Sequence, residues 1–231
     1  GSLCIFNPGE SFANSAAFVQ IPSIPVTYAD RDFTRYVVPN VGNALNLGYE
    51  VRVVALEDNT AVDILYFPQV VLQEGQFRDY AFANRASVTV VTCSQKCVVT
   101  ALSRGNANRF GTFAVMALPT AVFYDTVSFT NLDTGTNTFV SVVATGTGPF
   151  TDMELNGNSL ASENWADDVH SFEFSHMWMQ LPTSIAKVAT SYTLRSTTGR
   201  AFAAYVYSHI GQRAGGYVYT AIGVPELVPL P

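Results

Sequence analysis

One pattern occurs twice in the chain, and it constrains the fold more than any other feature. Residues 96–119 hold an apolar run, a polar loop with glycine, a second apolar run and a proline. Residues 200–225 repeat this order, and the two loops, SRGNANRFG and SHIGQRAGG, have equal length. Short apolar runs rich in Val, Ala and Tyr and bounded by Gly and Pro are typical of β-strands. The repetition predicts two copies of one β unit, although any all-β protein can show run, loop and run by chance.

The segments before this pattern also correspond. Residues 49–56, YEVRVVAL, match residues 138–145, TFVSVVAT, and each segment is followed by a turn. Residues 169–174 alternate in polarity as residues 77–82 do, and residues 177–188 form an insertion with room for one short helix. No segment keeps a helical apolar period over a dozen residues, which favours strands throughout.

We therefore predict an all-β protein made of two tandem antiparallel β-sandwich-like units with similar strand order. The predicted divisions are an irregular N-terminal segment with one edge strand (1–32), a first unit (33–119), a second unit (120–225) and a linker-like tail (226–231). The proline spacing of that tail predicts a connection to downstream domains of a longer parent chain.

Composition narrows the class of partner. Of the 231 residues, 48% are hydrophobic and 13% are charged, which is ample for a packed core. The net charge is -6, with 12 Lys and Arg against 18 Asp and Glu. Because no basic patch is visible, nucleic acid and anionic membranes are disfavoured as partners. No apolar run approaches the ~20 residues of a transmembrane helix.

Cysteine spacing bears on the cellular compartment. Cys93 and Cys97 flank three residues between two strand-like runs. Directly opposed residues of an antiparallel hairpin have Cα atoms about 4.5 to 5.5 Å apart, which is within disulfide reach. A disulfide here predicts an oxidising compartment and a secreted or cell-surface protein. The alternative is a pair of reduced cysteines facing each other across a turn. Pairing Cys93 with Cys97 leaves Cys4 without a predicted partner.

Catalytic motifs are missing from the sequence. Its histidines are His170, His176 and His209, and no serine-hydrolase elbow, zinc-protease helix or phosphate-binding loop accompanies them. The first two histidines are about 20 Å apart along one strand, too far for a shared metal. We predict no enzyme activity, no metal and no cofactor. A hydrolase whose site is assembled in space from distant residues is the less favoured alternative.

Aromatic and arginine residues give the candidates for binding. Tyr205 and Tyr207 share one strand face, as Tyr217 and Tyr219 do on the next run. If the two strands pair, the four tyrosines predict a stripe suited to a protein or a sugar, and the alternative is core or cross-strand packing. Two tryptophans and three arginines complete the set: Trp165, Trp178, Arg104, Arg109 and Arg213.

These five residues have their own alternatives. The tryptophans are interaction anchors if exposed and caps of the core if buried. The arginines lie on loops that the repeat places at equivalent corners of the two units, where they suit polar contacts with a partner. Solvated hairpin tips are the alternative for the arginines.

The core and turn pattern resembles a known family. The pattern begins with a strand containing VVA, followed by a turn and then V-x-I or M-x-L. A loop with N-G or E-G comes next, and the pattern ends with GRAFAAYVY and GGY. This order resembles the N-terminal domain of IgG-Fc-binding proteins, which are large, secreted and mucin-associated. The similarity covers about residues 33–224 and is strongest at 51–62, 139–160 and 201–223.

The resemblance implies an extracellular binding or adhesion module without catalytic residues. We therefore expect recognition of a protein or glycan through loops or an aromatic sheet face. A structural or assembly module of an extracellular matrix or shell is the alternative.

Overall fold

The computed structural model describes residues 2–5, 17–20, 32–40, 48–82, 88–103, 114–131, 138–167, 173–181, 190–209 and 216–223. Regular structure in these ranges consists of β-strands and one 3₁₀ turn at Thr120–Val122. Every strand pair is antiparallel. The all-β prediction is confirmed.

The N-terminal segment contains more strand than expected. Its strands β1 (Ser2–Ile5) and β2 (Ala17–Gln20) form a two-stranded sheet, with Cys4 opposite Phe18 in the register. The sequence predicted only one edge strand here, because three prolines interrupt the segment and obscure the second short run.

The first unit is a sandwich of two four-stranded sheets. One sheet has the order β3-β8-β5-β6 and the other the order β10-β9-β4-β7. In β4 every second residue is buried, which is the polarity period of a strand with one covered face. The bounds are β3 (Arg35–Val38), β4 (Tyr49–Ala55), β5 (Thr60–Ile64), β6 (Val70–Leu72), β7 (Phe77–Phe82), β8 (Thr89–Cys93), β9 (Cys97–Ser103) and β10 (Ala114–Met116).

The second unit forms one nine-stranded sheet with the order β14-β13-β17-β11-β19-β18-β12-β16-β15. The sheet is continuous because β11 pairs with β19, through Val127 opposite Gly223 and Ser128 opposite Ile222. The bounds are β11 (Thr126–Asn131), β12 (Thr138–Thr145), β13 (Met153–Leu155), β14 (Asn158–Ser159), β15 (Ala166–Asp167), β16 (Phe174–Gln180), β17 (Thr190–Ser196), β18 (Phe202–His209) and β19 (Gly216–Gly223).

The two units have the same strand order. The series β6-β5-β8-β3 of the first unit corresponds to β14-β13-β17-β11 of the second, and β10-β9-β4-β7 corresponds to β19-β18-β12-β16. Two features are added in the second unit: the β11–β19 pairing and the outer strand β15. The predicted sandwich-like units of similar strand order are therefore present, and the division of the chain at residues 119 and 120 stays a prediction.

One strand of the second unit lies later in the chain than predicted. Residues 174–180 form β16, whereas the alternating residues 169–174 were expected to be the strand and residues 177–188 a helix-bearing insertion. Residues 174–177 are buried on both faces, so this strand lacks the polarity alternation that marks a half-exposed one. Residues 182–189 lie outside the described ranges.

The two units share their hydrophobic core. Three aromatic residues of the second unit, Phe139, Tyr205 and Tyr207, belong to the same buried cluster as Tyr36, Val51 and other residues of the first sandwich. In the described part of the chain β3 and β10 do not pair, so the first sandwich is open along that side except for one isolated bridge, Tyr36 opposite Pro119. The face of β12 and β18 that carries Phe139, Tyr205 and Tyr207 packs against the first unit beside this opening.

Further contacts join the units beside this opening. A small buried cluster combines Val37 and Val88 of the first unit with Val143 and Phe174 of the second. Leu118 N–H donates to the Tyr205 hydroxyl (3.1 Å), and the Thr220 hydroxyl donates to the Met116 carbonyl (2.9 Å). The described parts of the two units therefore pack against each other through apolar and polar contacts.

A disulfide joins the two sheets of the first unit. Cys93 ends β8 and Cys97 begins β9, and their sulfur atoms are bonded with the Cα atoms 6.6 Å apart. The predicted disulfide is confirmed, but the predicted hairpin of directly opposed cysteines is wrong, because β8 pairs with β3 and β5 whereas β9 pairs with β4 and β10. Since β8 and β9 belong to different sheets, the bond holds the two layers together at this end of the sandwich.

Candidate binding surface

Most of the predicted binding residues do not lie on a described surface. Arg104, Arg109 and Arg213 fall outside the described ranges, and their role stays a prediction. Tyr217 and Tyr219 lie on β19, but only the backbone is described at these positions.

The two remaining tyrosines are core residues. Tyr205 and Tyr207 are fully buried, and burial raises the pKa of the Tyr205 hydroxyl well above its ordinary value. Tyr207 stacks on Phe139 with ring centroids 5.5 Å apart. In the free chain these two side chains cannot contact a partner, so the alternative of core packing describes their place in the structure.

The predicted stripe of four tyrosines is wrong. The strands β18 and β19 do pair, but Tyr205 is opposite Thr220 and Tyr207 is opposite Val218. Directly paired residues share a face, and neighbours along a strand alternate between faces. The register therefore places positions 217 and 219 on the face opposite Tyr205 and Tyr207.

The two tryptophans differ in exposure. The Trp165 indole N–H donates to the Leu160 carbonyl (3.0 Å), and its ring packs edge-on against Phe150. This partly buried residue closes one margin of the second core. Trp178 is 42% exposed, with its ring edge-on to Phe139. Trp178 thus remains available as a contact residue, and its part in binding stays a prediction.

The exposed large apolar side chains concentrate on the first unit. Within the described ranges there are six, and five of them lie in the first unit. Val71 lies on β6, Phe77 begins β7, and Leu65 and Tyr66 lie in the turn before β6, whereas Leu56 follows the central strand β4. Because β6 and β7 are the edge strands of their two sheets, the first four share one edge of the sandwich. We call this the first-unit edge surface; it comprises Leu65, Tyr66, Val71 and Phe77.

Phe77 lies at the edge-strand end of an apolar row on the outer face of β9, β4 and β7. The register places Val54 between Phe77 and Val98, and both valines are half-buried. Phe77 itself is 56% exposed, and the guanidinium of Arg52 lies 4.5 Å from its ring centroid. The row therefore offers a flat apolar strip with a cation at its border.

Arg52 is fixed by a carboxylate on the neighbouring strand. Its Nε and Nη2 donate to the two carboxylate oxygens of Asp79 at 2.7 and 2.8 Å. The hydrogen bond to Asp79 is the main cause that raises the pKa of Arg52. A bidentate pair holds the planar guanidinium in one orientation, which suits stacking against Phe77.

The turn after β5 presents the second part of this surface. Tyr66 has a φ of 72°, in the left-handed region that is rare for residues other than glycine, and is 69% exposed. The next residue, Phe67, packs edge-on against Tyr80 and Phe82. Because Phe67 anchors the turn to the core, Leu65 and Tyr66 are held at the surface.

This surface was not among the sites predicted from the sequence, although the sequence contains one signal for it. Phe77 and Tyr80 are three residues apart on one strand, so they cannot point to the same face. If Tyr80 is in the core, Phe77 must face outward together with Asp79 and Ala81. No comparable signal marks Leu65 and Tyr66, since apolar residues just past a strand are as often buried as exposed.

A serine, an aspartate and a histidine do meet in the second unit. The Ser175 hydroxyl donates to the Asp167 carboxylate, and Gly148 N–H donates to the same carboxylate at 2.9 Å. The bond from Ser175 is the main cause that lowers the pKa of Asp167. Ser175 and His176 are consecutive in β16 and project to opposite faces, which is not the geometry of a serine activated by histidine.

The other two histidines give no further site. His170 is outside the described ranges, and at His209 only the backbone is described. Among the described residues, no three of His, Cys, Asp and Glu lie together in a way that holds a metal ion.

Comparison with known proteins supplies the family. The family model described as "IgGFc binding protein" matches residues 1–208. This chain belongs to the IgGFc-binding family. The match includes β4, β7, the Cys93–Cys97 disulfide and most of the second unit, as the resemblance in sequence predicted. No curated protein and no solved structure matches the chain.

Membership in the IgGFc-binding family sets the class of activity. It is a family of binding domains that is typically extracellular, and it is not an enzyme family. Within the described ranges, no helix has the length and apolar character required to cross a bilayer.

Proposed function

We propose that this chain is an extracellular module that binds a protein partner through the first-unit edge surface. The proposal is supported by family membership and by the disulfide, which suits an oxidising compartment. The observation that carries it is the concentration of exposed Leu65, Tyr66, Val71 and Phe77 along one edge.

The composition of this surface is that of a protein contact site. An apolar strip bordered by a polar group, as Phe77 and Val54 form beside Arg52, is typical of protein interfaces. Tyr and Arg are enriched among the residues that contribute most binding energy, and the edge surface offers Tyr66 and Arg52 beside Phe77. Since Asp79 already pairs with Arg52, docking of an apolar group on Phe77 leaves no buried charge without a partner.

The Fc region of immunoglobulin G is the first partner to test, because the family description names it. We expect the chain to bind an immobilised Fc fragment in surface plasmon resonance. Replacing Phe77→Ser and Tyr66→Ser together is expected to weaken binding at least tenfold, the effect of losing roughly 1.4 kcal/mol at a contact site.

Trp178→Ser is the matched control, because it removes an exposed aromatic residue from the other unit. Equal losses in the two variants would contradict a site on the first-unit edge surface. No binding by the wild-type chain would contradict the Fc region as partner. Enzymatically deglycosylated Fc separates the two ligand classes, since a protein contact survives removal of the sugar and a glycan contact does not.

A further inference from the structure

We propose that the free edge of β7 accepts an extended segment of the partner as an additional strand. That strand extends the β10-β9-β4-β7 sheet and places an apolar side chain against Phe77. This inference rests on the proposed function and adds the mode of binding and the chemistry of the bound segment.

The backbone of β7 has hydrogen-bonding groups directed away from the sheet. Ala55 N–H donates to the Gln76 carbonyl at 2.9 Å, which fixes the phase of the β4–β7 ladder. In an antiparallel ladder, alternate residues point toward the partner strand. Arg78 and Tyr80 therefore point toward β4, and Phe77, Asp79 and Ala81 direct their N–H and C=O groups outward.

The outward edge is open among the described residues. The sheet ends at β7, and Phe77, Arg78, Asp79 and Ala81 are all exposed. The described part of the chain contains no strand that pairs with this edge. Unpaired outward N–H and C=O groups on an edge strand are the recognition element for strand addition.

The second unit shows that the architecture accommodates a strand at this position. Its counterpart of β7 is β16, because both strands pair with the matching strands β4 and β12. Phe77 is opposite Val54 and His176 is opposite Val143, so Phe77 and His176 occupy equivalent positions. In the second unit this position is already paired, since Ala166 of β15 is opposite His176.

Side chains at this edge define the chemistry of the bound segment. Phe77 and its row neighbour Val54 offer an apolar contact to one side chain, while Arg52 and Asp79 offer polar contacts to the residue two positions away. A strand projects every second side chain to the same face. The fitting segment therefore alternates apolar and polar residues on this face and lacks proline where its N–H groups must donate.

The test uses as the probe a synthetic proline-free peptide in which valine and threonine alternate at every second position, so that both occur on the face that meets Phe77 and Asp79. Binding to the intact chain is measured by isothermal titration calorimetry for the wild type, Ala81→Pro and Ala81→Ser. Proline removes the outward N–H of residue 81 but no bond to β4, so an edge strand tolerates it. Serine changes the side chain and keeps the N–H. We expect at least tenfold weaker binding for Ala81→Pro and less than twofold change for Ala81→Ser.

A second measurement covers the case in which Ala81→Pro does not fold. Amide hydrogen exchange of the wild-type chain is followed with and without the peptide. We expect the amides of Phe77, Asp79 and Ala81 to exchange at least tenfold more slowly with peptide bound, and those of β6 to be unchanged. Unchanged exchange at these three amides in the presence of saturating peptide would overturn the proposal.

The remaining outcomes separate this inference from the proposed function. A wild-type chain that binds the Fc fragment but not the peptide keeps the function and overturns strand addition. Peptide binding without Fc binding supports strand addition and contradicts only the choice of partner. The wild-type chain could instead form a dimer that does not bind the peptide and that is lost in Ala81→Pro. That result would overturn the proposal, because the strand added to β7 would come from a second copy of the chain.

Discussion

The connection between β8 and β9 and its counterpart between β17 and β18 are held by different chemistry in the two units. In the first unit the Cys93–Cys97 disulfide spans the layers. In the second unit the carboxylate of Asp152 accepts hydrogen bonds from Ser196 Oγ (3.2 Å), from Arg200 Nε (3.1 Å) and from the Thr198 hydroxyl. One covalent bond therefore corresponds to a set of charge-assisted hydrogen bonds.

The two units also close their open side differently. In the second unit β11 and β19 pair, so the unit completes its own sheet. In the first unit the corresponding strands are β3 and β10, and the gap between them is filled by Tyr205, Tyr207 and Phe139 of the second unit. Equal strand order therefore does not imply equal independence, because the first unit depends on its neighbour for part of its core.

Removing the aromatic filling of the first unit should give the largest effect. We expect Tyr205→Ala to lower the free energy of unfolding by about 3–5 kcal/mol, because the side chain is fully buried and leaves a cavity. Urea unfolding measures the loss. Tyr205→Phe keeps the ring and loses only the acceptor of Leu118 N–H, so it should cost about 1 kcal/mol. Equal losses for the two variants would show that the hydroxyl, not the ring, closes the gap.

Replacing Asp152 tests the hydrogen bonds that take the place of the disulfide in the second unit. We expect Asp152→Asn to cost about 2–3 kcal/mol at pH 7, because a neutral amide replaces the charged acceptor of three donors. Glu154→Gln is the control, since Glu154 pairs with the exposed Arg195 on the neighbouring strand. A surface pair of this kind contributes about 0–1 kcal/mol. If the two variants lose the same stability, Asp152 has no special role in holding the layers together.

Acid should selectively weaken the hydrogen bonds that Asp152 makes with the β17–β18 connection. Burial alone would raise the pKa of Asp152, but the hydrogen bonds from Thr198 and Arg200 lower it below its ordinary value. The folded state therefore favours the ionised carboxylate, and this stabilisation is lost as the pH falls through the lowered pKa. We expect the stability difference between the wild type and Asp152→Asn to narrow below about pH 4. A constant difference from pH 7 to pH 3 would exclude this origin.

Removing the disulfide should have a somewhat smaller effect. The bond closes a short loop with a sequence separation of 4, so the loss of stability in Cys93→Ser/Cys97→Ser should be about 2 kcal/mol. Reductant should destabilise the wild type by the same amount and leave the double variant unchanged. Mass spectrometry without reductant tests whether the bond is present. Two free thiols would show that no covalent bond links β8 and β9 in the first unit.

The smallest effect is expected at an ion pair between the units. Arg35 donates to the Glu173 carboxylate, and their side chains are 38% and 51% exposed. We expect a double-mutant cycle of Arg35→Ala and Glu173→Ala to give a coupling below about 1 kcal/mol at low salt and less at high salt. A larger coupling would mean that charge, rather than the buried tyrosines, holds the units together.

The features that the sequence predicted depend on local patterns. Alternation in residues 49–55 and 77–82 predicted β4 and β7, and the Cys93–Cys97 spacing predicted the disulfide but not that its two strands belong to different sheets. Each of these patterns spans fewer than a dozen residues, so it can be read without knowing the distant contacts. The matching order of these local elements then predicted two similar units.

The features that the sequence did not predict depend on register and on distant contacts. A shift of one residue in the pairing of β18 with β19 decides whether Tyr217 and Tyr219 share a face with Tyr205. Nothing in either run fixes that register. The exposure of Leu65, Tyr66 and Phe77 depends likewise on where the second unit packs: its described residues contact the β3 and β10 side and not the β6 and β7 edge.

The dependence of the first sandwich on Tyr205 and Tyr207 also sets an order of events during synthesis. The last strand of the first unit ends at Met116, but the residues that close its core follow on β18, which begins at Phe202. A domain emerging from the ribosome usually folds as a unit once its own residues are available. Here the first unit must wait with an open side while the chain between Met116 and Phe202 is made. Correct folding of this module therefore depends on protecting that side until the second unit has been made.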